Sequence, residues 1–232
     1  FSGKNIFVCL PGGASFEKCF EDGSTKWTYN GLMPITAFSA KENFTCIGTA
    51  DGNVKVFDNE SGKVAVEYAP GGSDYGVILG IDISEDGQYI ATVSGHDNQR
   101  FVLAKKENTQ VRILFHEFLP NGLSVQQDIH FTKDGKSVFY NFNGGVGILN
   151  IEDAVNTRLD IPARVISIEE SDDLVFILGK NKNEYTVYIC EKTNSIAGSF
   201  SFTADTAFIK AFGNKLYIGK DNAISKINIT KK

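Results

Sequence analysis

Two groups of side chains in this sequence could do chemistry. The first is Gly95-His96-Asp97-Asn98-Gln99-Arg100, a polar run between two apolar strands. An imidazole and a carboxylate beside a guanidinium would bind an anion or a partner. The same run also reads as a solvated turn that happens to carry a histidine. His96, Asp97 and Arg100 are the binding candidates. The second group is Asp82, His130 and Glu169, one from each of three successive copies of one strand type. The competing reading makes them ordinary polar residues at outward positions. His116, in LFHEF, reads as structural. GxSxG, HExxH and Walker A patterns are absent, so no residue is assigned a catalytic role and no cofactor is expected. Gly144-Gly145 joins two strands without a helix N-terminus and is not a phosphate loop.

The cysteines Cys9, Cys19, Cys46 and Cys190 form no CxxC pair, which leaves zinc and redox motifs unsupported. Each lies in an apolar strand pattern and reads as a small buried hydrophobe. A Cys9–Cys19 disulfide in a hairpin is the alternative for that pair.

Length and charge narrow the rest. The 232 residues fit one mid-sized domain, 42% hydrophobic and 22% charged, with formal net charge -5. That balance disfavours duplex nucleic acid, and the basic pair Lys231-Lys232 is too short to hold a phosphate backbone. No apolar run reaches the roughly 18 residues of a membrane span. The sequence starts at Phe1 rather than Met, which reads as a piece or processed form of a longer parent chain.

The elements that must position these side chains are repeated. Apolar strands end at Phe38, Ile83, Phe131 and Ile168, each followed by a polar turn and a second apolar strand. The recurrence matches the roughly 40–45 residues of a four-stranded repeat. Four copies hold strands A to D: ITAF, FTCIGTA, VKVFD and KVAVEYA in the first, and RVISI, LVFILG, YTVYICEK and IAGSFSF in the last. The stretch from Ile6 to Tyr29 supplies B, C and D; the stretch from Ala207 supplies A, B and C. One helical turn is expected at Glu152–Asn156. Pro34, Pro70, Pro120 and Pro162 fall where a D strand hands over to the next A strand, as suits residues that cannot donate to a ladder. Phe115, Phe118 and Leu119 are expected to bury against the next repeat, the alternative being an exposed contact surface.

The turns SEDG at 84–87 and TKDG at 132–135, with ADGN at 50–53, resemble those of the WD40, YVTN and quinoprotein-like β-propellers. The strict WD40 dipeptide and the tryptophan docking motifs are missing, since Trp27 is the sole tryptophan. The resemblance implies an all-β propeller of four-stranded antiparallel blades over residues 1–232. Six blades with incomplete ends are expected, or five. Resemblance to propeller lactonases implies that Asp82, His130 and Glu169 converge on a divalent metal in the central channel.

Two functions follow as expectations. One is a non-enzymatic scaffold that binds a protein partner through a propeller face. The other is a metal-assisted hydrolase working in the channel. The scaffold is preferred because repeat folds host many functions and no catalytic set is recoverable. The oligomeric state is open. Resemblance to exported bacterial propellers favours a periplasmic or cell-envelope location, and cysteines without evident partners favour the cytoplasm.

Overall fold

The computed structural model describes residues 5–120, 122–192 and 195–229. Lys231-Lys232 and Phe1 lie outside them. Among the described residues there are 22 strands and no helix. The strands fall into two compact units, 1–131 and 132–232.

The first unit holds β1 (Ile6–Cys9), β2 (Ser15–Cys19) and β3 (Thr25–Asn30), then β4 (Ile35–Ala40), β5 (Phe44–Thr49), β6 (Val54–Asp58) and β7 (Val64–Tyr68). It continues with β8 (Ile78–Ile83), β9 (Tyr89–Ser94), β10 (Arg100–Glu107), β11 (Gln110–Phe118) and β12 (Ile129–Phe131). The second unit holds β13 (Ser137–Phe142), β14 (Gly145–Asn150) and β15 (Asn156–Asp160). After them come β16 (Arg164–Glu170), β17 (Leu174–Asn181), β18 (Glu184–Glu191) and β19 (Ile196–Thr203), and then β20 (Ala207–Phe212), β21 (Lys215–Lys220) and β22 (Ala223–Asn228). They form six antiparallel sheets in chain order: β1-β2-β3, β4 to β7, β8 to β11, β12 to β15, β16 to β19 and β20-β21-β22.

Burial falls from the middle of each sheet to its last strand. The central strands β5, β9 and β13 are buried on both faces and read as near-continuous apolar runs. The outer strands β7 and β19 alternate, as strands with one wet face do. Facing sheets supply the core. Between the first two sheets an aromatic cluster centres on Phe16, whose ring lies 5.4 to 5.6 Å from those of Trp27, Tyr29, Phe38 and Phe57. Between the next two, Cys46, Val54 and Val56 pack on Ile78, Ile81, Ile83 and Ile90. The sheets approach so closely there that a Cβ at Gly48 would lie 2.3 Å from the Ile78 Cβ. In the second unit, Phe139, Ile148 and Val175 share one cluster, and Phe176, Leu178 and Ile209 another.

The turns after the first strands of two sheets are wired alike. Ser84 Oγ donates to Asp86 at 2.6 Å and accepts the Tyr89 N–H at 2.9 Å, while Asp86 also accepts the Gln88 N–H at 3.0 Å. Thr132 Oγ1 donates to Asp134 at 2.7 Å and accepts the Ser137 N–H at 3.0 Å, and Asp134 accepts the Lys136 N–H at 3.1 Å. Gly87 and Gly135 both hold φ at 68°, the left-handed conformation each turn requires.

Three local expectations are corrected. Residues 152–156 form no helical turn: Asn150 Oδ1 accepts the Glu152 N–H at 2.9 Å, closing a side-chain turn, and Asn156 already begins β15. Cys9 and Cys19 are both free, because β1 pairs with β2 so that Cys9 faces Phe16 and Cys19 faces Ile6. Cys9 is exposed, unlike the other three. Of the LFHEF run and its flank, Leu119 is buried at 6% exposure and Phe115 half-buried, but Phe118 is 57% exposed.

Candidate functional site

The polar run at 95–100 is a hairpin connection. Arg100 pairs directly with Ser94 across β9 and β10, leaving Gly95–Gln99 to turn the chain. This turn is strapped to the preceding connection, residues 70–77. The Gly95 N–H donates to the Val77 carbonyl at 2.9 Å and the His96 N–H to that of Tyr75 at 3.2 Å. Ser73 Oγ donates to the Asp97 carboxylate, and this bond holds the Asp97 carboxyl below the usual range. Gln99 is the buried anchor of the turn. Its amide nitrogen donates to the Leu123 carbonyl at 3.0 Å and its amide oxygen accepts the Leu123 N–H at 3.1 Å. Little in the local sequence marks Gln99: its near partner is the Gly95 carbonyl at 3.3 Å, and the two bonds that anchor the turn reach Leu123, 24 residues away.

These loops enclose a depression of about 580 Å³ lined by Ala50, Tyr75, Gly76, Val77 and His96. Tyr75 stands out of it, 71% exposed. Arg100 packs beneath the 71–72 backbone. Gly72 has φ +94°, and a Cβ there would lie 2.4 Å from Arg100 Nε, so glycine is what lets the guanidinium lie flat against the chain. Arg100 Nε is buried without a hydrogen-bond partner, and burial draws its pKa down from the ordinary value. The structure therefore brings His96 and Asp97 to the loop surface and sets Arg100 under it.

The second group is arranged differently. Asp82 is buried in β8, where its carboxylate accepts the Phe131 N–H at 2.8 Å and the Ser39 hydroxyl at 2.5 Å, with Lys41 Nζ at 3.3 Å. Burial would lower the Lys41 ammonium, but Asp82 and then Glu85 outweigh it and hold it above its usual value. Burial, reinforced by Asp82, pushes the neighbouring Cys46 thiol well up. His130 is half-buried on β12. Glu169 is half-buried on β16; it pairs with Lys210 Nζ at 2.9 Å and accepts the Ala211 N–H at 3.4 Å. Among the described residues no three His, Cys, Asp or Glu side chains gather to hold a metal. The carboxylate that is buried on β16 is the next one, Glu170, which accepts the Lys133 N–H at 2.8 Å and pairs with Lys192.

A family model described as "beta-propeller protein" matches residues 1–232. A protein of Treponema pallidum (strain Nichols), described as uncharacterized, is 26% identical over 226 residues, covering 97% of this chain and 60% of its own length. The chain thus spans about 60% of that curated relative. Among solved structures, BamB from Moraxella catarrhalis superposes with a TM-score of 0.67 at 16% identity, covering 100% of this chain and 68% of that one. The computationally designed Ika8 protein gives 0.62 at 14% identity, covering 99% and 82%. At these identities the two structures show the fold alone.

Proposed function

The chain belongs to the β-propeller protein family, and on that premise we propose that it is a non-enzymatic scaffold that holds a protein partner on the loops at 50–53, 70–77 and 95–100. The observation behind the reading is the shape and chemistry of that loop cluster. A depression of about 580 Å³ with apolar walls is bordered by an exposed tyrosine and an exposed histidine. Tyrosine beside an apolar well is a side chain that anchors protein interfaces. The 70–77 and 95–100 loops are hydrogen-bonded to each other, so a partner would meet a preformed surface there and lose little order on docking.

The hydrolase alternative has no observation in its favour. The oxygens of Asp82 and Glu169 are already engaged by protein donors, leaving few lone pairs for a cation.

The test is co-purification. The protein is to be captured at native level from its own cells with Tyr75→Ser/His96→Ser beside it. A stoichiometric partner retained by the parent chain and lost by the variant, at equal melting temperature, is the expected result. Retention of every partner by the variant would remove this face from the function.

A further inference from the structure

Two depressions in the first unit share one turn, the connection from β5 to β6. Ala50 of that turn lines the depression of about 580 Å³ beside Tyr75 and His96. Thr49 and Asp51, on either side of Ala50, line a second depression of about 340 Å³ whose other walls include Tyr29, Leu32 and Met33. The turn is held from both directions. The Ala50 N–H donates to the Pro34 carbonyl at 2.9 Å. On the other side a Cβ at Gly52 would lie 3.0 Å from the Gly76 Cα, so the turn abuts the 70–77 connection. The apolar side chains at these depressions are uncovered: Leu32 is 98% exposed, and Met33 and Tyr75 are exposed too. They border two adjoining wells rather than standing singly, and grouped apolar exposure with a polar rim marks an interaction surface.

Charge decides what can cover them. Asp51, Asp74 and Asp97 are exposed, one on each of the three connections that meet here. Among the described residues none of the three pairs with a lysine or arginine. Asp51 accepts the Thr49 hydroxyl at 2.5 Å and the Asn53 amide at 2.8 Å, and Asp97 accepts the Ser73 hydroxyl and the Asn98 amide. These donors are neutral, so they orient the carboxylates and leave the charge in place. Lys55, at the edge of the smaller depression, is already paired with Glu67. Arg100 lies beneath the 71–72 backbone, and His96 is the remaining basic side chain. The surface is therefore apolar in its wells and negative along its border.

We propose that the protein partner docks a basic, apolar stretch of its chain here, with apolar side chains filling the two depressions and lysine or arginine side chains meeting Asp51, Asp74 and Asp97. The proposal rests on the scaffold reading; it names the chemistry of the partner and carries the surface on to Leu32 and Met33. Apolar burial supplies most of the affinity, while the carboxylates select for a cationic segment and speed its approach. The same carboxylates turn away nucleic acid and anionic lipid, whose charge they repel.

Met33 is the sole methionine of the sequence, so an isotope-labelled methionine methyl places one NMR reporter at the smaller depression. Its signal is assigned by its loss in Met33→Leu. Three peptides are titrated into the isolated protein: acetyl-Lys-Leu-Lys-Lys-Phe-Lys amide, the same peptide with Glu for every Lys, and the same peptide with Ser for Leu and Phe. The Met33 signal is expected to shift and saturate with the first. Each of the other two lacks one component and is expected to bind about tenfold more weakly or worse. Asp51→Asn/Asp74→Asn/Asp97→Asn, at equal melting temperature, is expected to lose about tenfold in affinity for the first peptide and most of its salt dependence. Tyr75→Ser is expected to weaken the same peptide and keep the salt dependence. A flat Met33 signal with the basic apolar peptide would overturn the proposal. So would equal binding of the acidic or the serine peptide, or full affinity in the folded triple variant. The peptide comparison uses the parent chain alone and decides the matter if the triple variant does not fold. No cellular partner enters these titrations. A partner captured by the parent and lost by Tyr75→Ser/His96→Ser, with no peptide response here, would keep the scaffold and remove its basic ligand.

Discussion

Lys41 and Asp82 meet across two sheets, the ammonium nitrogen 3.3 Å from one carboxylate oxygen, with the other oxygen closed off by the Phe131 N–H. Removing the carboxylate would strand a mostly buried cation and an unpaired amide together. Asp82→Ala should therefore cost about 3–5 kcal/mol in urea unfolding, the range for breaking one side of a buried pair. A loss under 1 kcal/mol would show that the pair holds nothing.

The same pair sets a pH dependence. Lys41 titrates above its usual 10.5 in the folded chain, so the folded state keeps the proton longer than the unfolded one. Its contribution is fully present below 10.5 and is lost as pH rises through the raised value. Melting temperature in the parent should fall above that pH more steeply than in Lys41→Met. Parallel curves for the two proteins would contradict the assignment.

Gly48 is where the β4–β7 sheet touches Ile78. Gly48→Ala puts a methyl 2.3 Å from the Ile78 Cβ, inside any tolerable contact, and should destabilise by about 1–3 kcal/mol through overpacking. Ile78→Ala in the same chain should return part of that loss. A purely additive double mutant, measured by the same unfolding curves, would mean that the two residues do not bear on each other.

Added calcium or zinc should leave the melting temperature unchanged. A resident site saturated a hundredfold over its Kd would add about 2.7 kcal/mol, a shift of several degrees that differential scanning calorimetry reads easily. Such a shift, abolished in His130→Ala, would restore the hydrolase.

Thiol chemistry should single out Cys9. It is exposed, whereas Cys19, Cys46 and Cys190 are buried and burial pushes the Cys190 thiol up to about 11. One thiol in the native chain and all four after denaturation should react with a disulfide reagent. Rapid native reaction of a second cysteine would show local opening of its strand.

The sheet plan was legible in the sequence because two local signals agree: period-two apolar runs, and Ser/Thr-x-Asp-Gly turns that bond to themselves. What escaped is decided by phase and by distance. Sequence reasoning singled out Glu169, yet Glu170 is the buried carboxylate. The two are neighbours on β16, and neighbouring residues of a strand point to opposite faces. Phe115 and Phe118 pair in regular register with Leu103 and Arg100, so their odd spacing puts them on opposite faces, and Phe118 emerges exposed. The polar run marks the 95–100 loop, but nothing marks its anchor Gln99, because the Leu123 groups that hold it are remote in sequence. Arg100 reads as a loop charge, while its place beneath Gly72 depends on the packing of a separate connection.

The turns at 84–89 and 132–137 close on side-chain hydrogen bonds drawn from their own few residues. A corner that carries its own closing bonds can be cut out and pasted elsewhere with little repair. Duplication of such a gene segment hands each daughter repeat a finished corner on its first day, which frees the facing strands to diverge as far as this chain's have.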